Sequence, residues 1–216
     1  MSAVLNIPEE RLLEFGDCPL LPPSHLWTPE ATAAKQALKW LLSMEFRGQR
    51  PSLSQLRERC ERYLDPKTRG ALRVLPAFCR RLRDLLDLHT VMQPMAAYTL
   101  SFGMTEVTGE YAVLRGVRNR PLILRLYPGP AVRQPDLLSL VRWEHFHRLE
   151  SHHRNVGVVN YSLLDGSYIR TWLQNSMLRY AGAAVEAYSH ALRHKAYYPT
   201  PGAHCASCMT QPCLRG

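Results

Sequence analysis

The sequence predicts an α/β fold in a single domain that covers residues 1–216, and three observations lead to this prediction. A chain of 216 residues has the length of one domain with one hydrophobic core. Residues 28–90 space their apolar side chains as helices do, so they are predicted to form a helical insertion. Residues 96–194 switch to a pattern of short strands and helices, and we take them as the core. Residues 199–216 form a separate tail that is rich in cysteine.

The N-terminal part is predicted to be mostly helical. Residues 8–16 read as a short helix. A longer helix begins at Thr28, which can cap it, and the proline that follows suits the first helical position. Residues 52–64 and 68–88 are predicted to form two more amphipathic helices, and Pro76 is expected to kink the second one.

The core is predicted to contain three antiparallel strands, a helix, a fourth strand and a final helix. The strand segments are β-branched or alternating and are separated by turns, and they cover residues 97–103, 107–117, 121–127 and 156–164. Residues 137–149 have helical spacing, and residues 168–194 are predicted to form one long helix that turns Tyr180 towards the core.

The composition favours a soluble globular protein. Hydrophobic residues make up 46% of the chain and charged residues 21%, as in ordinary folded domains. The apolar stretches are shorter than the roughly 18 residues that a membrane span requires. The N-terminus lacks a basic segment followed by an apolar one, so we expect a cytoplasmic protein.

The charge predicts a polyanionic partner. The formal net charge is +9, from 27 Lys and Arg against 18 Asp and Glu, and most of the basic residues are arginine. A planar guanidinium group donates two hydrogen bonds at once to a phosphate, so nucleic acid is the natural partner. The alternative is that the arginine excess reflects genome composition and a solvated surface.

The C-terminal cysteines predict a metal or cluster site. Cytosolic thiols stay reduced, so the six cysteines are not expected to form disulfides. Cys205, Cys208 and Cys213 lie within nine residues of one another, and a two-residue gap lets two thiolates face the same metal. We favour a [4Fe-4S] cluster, and zinc is the alternative because His204 precedes the first of these cysteines.

A cubane cluster or a closed zinc site needs four ligands, so a fourth cysteine is required. Cys18 is the candidate because it lies in a break after the predicted first helix and is followed by proline. Cys60 and Cys79 fall inside helical patterns, where a small buried residue is the usual explanation.

These motifs carry a resemblance to a known family. Cys18-Pro after an N-terminal helix, together with Pro199-x-Pro-Gly-x-His-Cys-x-x-Cys and one further cysteine, resembles the RecB-like iron–sulfur branch of the PD-(D/E)XK nucleases. This branch includes the CRISPR adaptation nucleases. The resemblance covers essentially the whole chain and implies a restriction-endonuclease-like core of helix, three antiparallel strands, helix and strand, with the cluster joining the chain ends. The last cysteine gap here is four residues, where the family often has five.

The resemblance also implies where catalysis would occur. In the family, an Asp after a Gly on the second strand and an Asp/Glu-x-Lys on the third strand hold the divalent metal ions that activate water. The matching positions here are Ala112, Arg125 and Tyr127, so the motif is degenerate and we assign no catalytic residue. An active Mg- or Mn-dependent DNA exonuclease would need a migrated carboxylate site. Its candidate residues are Glu106, Glu110 and Asp136, and strand alternation predicts that Glu110 lies on the same face as Ala112.

The function that follows is a catalytically inactive nuclease-fold protein. The resemblance implies that it is a nucleic-acid-binding or structural subunit of a CRISPR, phage-defence or DNA recombination complex with other proteins. Its nucleic-acid partner is expected to be DNA more than RNA. A second alternative is a protein-binding adaptor without nucleic-acid contact. The arginines predicted to contact nucleic acid are Arg115, Arg118, Arg120, Arg125, Arg142 and Arg148.

Overall fold

The computed structural model describes residues 4–9, 11–12, 29–63, 75–128, 137–149, 156–163, 165–173 and 175–194. Over these residues the fold is mixed α/β, with a mixed sheet of six strands and with five helices. Among the helices described, none has the length and apolar character needed to cross a membrane.

Along the described part of the chain, the order is one strand, three helices, three strands, one helix, two strands and a last helix. The strands are β1 (Leu5–Pro8), β2 (Thr90–Phe102), β3 (Thr105–Arg115), β4 (Pro121–Tyr127), β5 (Gly157–Ser162) and β6 (Tyr168–Trp172). The helices are α1 (Pro29–Phe46), α2 (Leu53–Arg62), α3 (Leu75–Asp87), α4 (Leu137–Leu149) and α5 (Asn175–His194).

The sheet is built around β3. β2 runs antiparallel along one edge of β3, and the other edge is shared between β1, which is parallel, and β4, which is antiparallel. β5 pairs in parallel with β4, and β6 pairs antiparallel with β5. The register of β2 shifts between Gln93 and Ala96, and Pro94 lies in this irregularity, where a residue without an N–H is tolerated.

Helices cover both faces of the sheet, and strand alternation assigns the side chains to each face. On the first face, which we call the α1 face, Ala112 and Leu124 join a hydrophobic cluster with α1, α2 and α3. On the opposite face, the α4 face, Val113 and Ile123 join a second cluster with α4 and α5. The core therefore has two parts, one on each side of the sheet.

Most of the predicted elements are confirmed. The three antiparallel strands and the helix over residues 137–149 are present, and α1 begins at Pro29 as expected. α2 begins after Ser52 with a capping box. The Ser52 hydroxyl accepts a hydrogen bond from the backbone of Gln55, and the Gln55 side chain accepts one from the backbone of Ser52.

Two predicted helices begin later than expected. In the helix predicted over residues 8–16, Pro8 still belongs to the parallel strand that covers residues 5–8, and helical conformation begins at Glu9. The segment Tyr168–Trp172 forms β6, because the turn at Asp165 and Gly166 returns the chain alongside β5 as a hairpin. The final helix therefore begins at Asn175.

Two further predictions about helices can be compared with the structure. Tyr180 was expected to face the core but is 66% exposed. The helix predicted over residues 68–88 is described from Leu75 to Asp87, and Pro76 lies in its first turn.

Candidate functional site

One edge of β3 changes its partner halfway along. Residues 105–108 pair with β1, and residues 112–115 pair with β4. Residues 109–111 have no ladder partner on this edge among the described strands. Residues 125–127 of β4 pair with β5, and no described residue of β3 pairs with them. β3 and β4 therefore separate, and we call the gap between residues 109–111 and 125–127 the fork.

The Glu9 side chain occupies the fork. Glu9 follows β1 directly and is 1% exposed. Its Oε1 accepts a hydrogen bond from the backbone N–H of Glu110 at 3.1 Å, and its Oε2 accepts one from the Tyr98 hydroxyl at 2.9 Å. A Cβ at Gly109 would lie 2.1 Å from Glu9 Cδ, so position 109 has room only for glycine. The carboxylate thus takes the place of a missing strand partner.

Arg142 of α4 neutralises this carboxylate. Its Nε donates to Glu9 Oε2 at 2.9 Å, and its Nη2 donates to Glu9 Oε1 at 2.6 Å. Nη1 reaches the carbonyl oxygen of Leu124 at 3.4 Å, where β4 leaves β3. The side chains of Arg142 and Glu9 are 4% and 1% exposed, so this is a buried, bidentate ion pair. The ion pair connects Glu9, directly after β1, with α4 at the fork.

Three aromatic side chains extend this polar cluster. The Tyr111 hydroxyl and His145 Nδ1 are 2.9 Å apart, and the Tyr98 and His145 ring centres are 4.8 Å apart. Burial, and then the charge of Glu9, raises the pKa of Tyr98, and burial raises the pKa of Tyr111. Burial and the nearby Arg148 lower the pKa of His145. At neutral pH these three groups are therefore uncharged.

The positions matched to the nuclease motif do not meet at one site. Ala112 pairs with Leu124, so both face α1, and Ala112 is fully buried in that core. Arg125 is the next residue along β4, so strand alternation turns it to the α4 face. It is 1% exposed, and its guanidinium carbon lies 4.4 Å from the ring centre of Tyr127. Ala112 and Arg125 are therefore separated by the sheet.

Glu110 shares the face of Ala112, as strand alternation predicted, and it is held by lysines of α1. Lys39 Nζ is 2.6 Å from one carboxylate oxygen and Lys35 Nζ is 3.1 Å from the other. Burial raises the pKa of Glu110, but the hydrogen bonds and charges of these lysines outweigh it, so the pKa lies below its ordinary value. The carboxylates of Glu9 and Glu110 are thus held by different helices on opposite faces of the sheet.

The three candidate acids, Glu106, Glu110 and Asp136, do not form a metal site within the described residues. Among the residues that the structure describes, no group of three or more His, Cys, Asp and Glu side chains could hold a metal ion. Glu106 lies beside Asn6 of β1, and Asp136 lies outside the described residues. The migrated site therefore has no set of ligands within the described part of the chain.

The four cysteines predicted to hold a cluster, Cys18, Cys205, Cys208 and Cys213, all lie outside the described residues. Cys60 and Cys79 are free and buried in α2 and α3, as the helical pattern predicted. Leu12 and Leu192 both pack in the cluster on the α4 face, and they are the described leucines closest in sequence to Cys18 and Cys205.

The six arginines predicted to contact nucleic acid divide into two groups. Arg125 and Arg142 are 1% and 3% exposed, so the expectation that they face a polyanion is corrected by their burial in the fork. Arg115, Arg118 and Arg148 are exposed and Arg120 is partly exposed. Sequence reasoning also missed Glu9, although a glycine inside a strand, Gly109, is a known sign of a close approach.

Comparisons with known proteins do not identify a family for this chain. No protein-family model matches the sequence, and no curated protein matches it. A solved structure titled "Crystal structure of SSO0001" is similar over 96% of this chain and 85% of that chain, with 10% sequence identity and a TM-score of 0.38. This similarity is too low to identify a family.

Proposed function

We propose that this chain is a catalytically inactive protein of the iron–sulfur PD-(D/E)XK nuclease fold that binds nucleic acid within a larger complex. DNA is a better candidate than RNA, and the complex would act in CRISPR adaptation, phage defence or recombination. The observation that carries the proposal is the fork. A buried Glu9–Arg142 ion pair fills the gap between β3 and β4, beside Arg125, which is one of the positions matched to the family's metal-binding acids.

The electrostatics of the fork support the loss of catalysis. A magnesium ion needs several oxygen ligands that converge on one point. Glu9 is neutralised by Arg142, and Glu110 is neutralised by Lys35 and Lys39 on the other face. Arg125 adds a further buried guanidinium group next to Tyr127. A cation in the fork would therefore meet positive charge and no free pair of carboxylates among the described residues.

The order of elements is consistent with the proposed fold. β2, β3 and β4 are antiparallel neighbours, α4 follows, and β5 returns parallel to β4. This is the order of three strands, helix and strand that the resemblance implies. The proposal goes further than this mixed α/β architecture, because it assigns the core to the nuclease fold.

The proposed cluster rests on the cysteine spacing and on the positions of Leu12 and Leu192. Its ligands would be Cys18, Cys205, Cys208 and Cys213, with zinc as the alternative metal. Leu12 and Leu192 belong to one hydrophobic cluster, so the segments that lead to Cys18 and Cys205 start from the same side of the sheet. When bound, such a group supplies folding free energy by joining the two ends of the chain.

A cleavage assay tests the loss of catalysis. The full chain, purified without oxygen, is incubated with Mg²⁺ or Mn²⁺ and labelled single- or double-stranded DNA. We expect no cleavage above a mock preparation, and none from Glu110→Gln. Metal-dependent cleavage by the wild type that disappears in Glu110→Gln would contradict the proposal and indicate an active exonuclease.

A binding titration tests the proposed partner. Fluorescence anisotropy of labelled DNA is measured at several salt concentrations, and the logarithm of the affinity should fall linearly with the logarithm of the salt concentration, by about 0.7 for each phosphate contact with a single strand. Absence of binding at low salt, together with a stable complex with a protein partner, would identify the chain as an adaptor.

A further inference from the structure

The connection between β3 and β4 concentrates positive charge. Residues 111–135 contain no Asp or Glu, and Arg115, Arg118 and Arg120 occupy the turn between the two strands. The first two of these arginines are exposed and the third is partly exposed. No carboxylate of the described residues pairs with any of the three. Together with Trp172, we call these arginines the arginine corner.

Four exposed arginines elsewhere in the described residues have acidic partners. Arg57 lies 2.8 Å from Glu61, and Arg148 lies 2.8 Å from Glu144. The remaining such pairs are Arg62 with Glu58 and Arg50 with Asp87. Arg47 and Arg80 are also exposed without a carboxylate partner among the described residues, and Arg193 donates to the carbonyl oxygen of Met104. The arginine corner differs from these sites because it places three such arginines within six residues, beside Trp172.

The backbone fixes the turn that carries these side chains. Gly116 N–H donates to the carbonyl oxygen of Arg120 at 2.8 Å and closes the turn. Arg118 and Asn119 have φ values of 60° and 62°, the left-handed region that residues other than glycine seldom adopt. Asparagine tolerates this conformation, whereas arginine gains nothing locally from it. The turn thus presents Arg118 to solvent at a cost in backbone energy.

Trp172 supports the third arginine. The Arg120 guanidinium carbon lies 5.3 Å from the centre of the Trp172 ring, within the range of a cation–π contact. A Cβ at Gly157 would come within 3.1 Å of ring atoms of Trp172, so the ring also packs closely over this glycine. Trp172 is still 44% exposed, so part of its ring surface remains accessible beside Arg120.

We propose that the arginine corner, and not the fork, is the surface that binds the sugar–phosphate backbone of nucleic acid. This inference rests on the nucleic-acid partner proposed above and assigns it a site. Guanidinium groups without acidic partners bind phosphates without reading sequence, and an exposed aromatic side chain beside them suits a strand with unstacked bases. The fork cannot serve, because its arginines are buried and Arg142 is occupied by Glu9.

The test compares two charge-matched double variants. Arg115→Gln with Arg118→Gln removes two charges from the corner, and Arg57→Gln with Arg62→Gln removes two from the exposed side of α2. Affinity for a fluorescein-labelled single-stranded DNA is measured by anisotropy at several salt concentrations. We expect the corner variant to bind more weakly and to lose about 0.7 from the salt slope for each contact removed, whereas the α2 variant keeps the wild-type slope.

A third variant tests the role of the aromatic ring. Trp172→Leu should weaken binding because Arg120 loses its support, and circular dichroism and the thermal midpoint check that the sheet remains folded. If Trp172 only stabilises the fold, Trp172→Leu should lower the thermal midpoint without changing the DNA affinity of the folded protein.

The outcomes separate this inference from the function on which it rests. If the wild type binds and the corner and α2 variants weaken binding equally, the assignment of the site is overturned while the nucleic-acid partner stands. If the wild type does not bind at low salt, both are overturned. If the corner variant keeps its DNA affinity but loses a protein partner, the corner binds an acidic protein surface and the assignment is also wrong.

Discussion

Arg142 of α4 holds both carboxylate oxygens of Glu9, in the gap that opens where β4 separates from β3. The pair is buried, and the same carboxylate also accepts hydrogen bonds from Tyr98 and from the backbone of Glu110. These three partners lie 89, 101 and 133 residues away from Glu9 in the sequence. The N-terminal segment is thereby joined to the centre of the sheet and to the helix that covers it.

Removing one partner of this pair should be costly. Glu9→Ala leaves the Arg142 guanidinium buried without its anion, and we expect the free energy of unfolding to fall by about 3–5 kcal/mol. Urea denaturation followed by circular dichroism measures this change. The control is Glu144→Ala, which breaks the exposed pair with Arg148 and should cost at most about 1 kcal/mol. Equal losses in both variants would contradict a structural role for the buried pair.

Gly109 should be coupled to Glu9. Gly109→Ala places a methyl group where the Glu9 carboxyl group lies, so we expect a loss of about 1–3 kcal/mol of stability. In the Glu9→Ala background the obstacle is gone and the loss should be smaller, which a double-mutant cycle detects. Gly182 in α5 is the matched control, since its nearest side-chain neighbour would be 3.8 Å from a new Cβ. Gly182→Ala should be neutral or stabilising. Additive effects of the Gly109 and Glu9 changes would refute the coupling.

Stability should fall in mildly acidic solution. Burial lowers the pKa of His145, assisted by Arg148, and burial lowers the pKa of His89 below its ordinary value of 6.5. Between each folded pKa and 6.5 the unfolded chain binds more protons, so the free energy of unfolding decreases as the pH falls below about 6.5. Urea denaturation across this range should show a weaker pH dependence in His145→Gln and in His89→Gln. An unchanged pH dependence in both variants would contradict this explanation.

The metal content of the protein should depend on four of the six cysteines. Protein purified without oxygen should contain about four irons per chain if the site holds a cubane cluster. Cys18→Ala and Cys208→Ala should lose this iron and unfold more easily, because cluster binding is coupled to folding. Cys60→Ala and Cys79→Ala remove thiols that are buried inside α2 and α3, so their iron content should match the wild type. Stoichiometric zinc without iron would overturn the cluster while keeping the ligands.

Several features of the fold could be predicted from the sequence because their signals are local. The alternating segments of β3 and β4 and the helical spacing of α4 identify these elements without reference to the rest of the chain. The same holds for α2, whose capping box lies within four residues. Position 110 was also placed correctly on the face of Ala112, because strand alternation has a fixed period of two.

Other features were decided by partners far away in the chain. The segment Leu5–Pro8 becomes a strand only because β3 offers an edge, and Tyr168–Trp172 becomes one only because β5 does. The separation of Ala112 and Arg125 onto opposite faces depends on the register between β3 and β4, which residue spacing alone does not fix.

The sequence by itself determined the composition of this protein, its α/β character, the turn that carries Arg115, Arg118 and Arg120, and the cysteine spacing that predicts a cluster. The tertiary structure decided which charges are available. Arg125 and Arg142 look like surface residues in the sequence, but the structure buries them at the fork, and Glu9 satisfies Arg142 there. A buried charge is tolerated only beside a partner, and that partner lies 133 residues away in the chain.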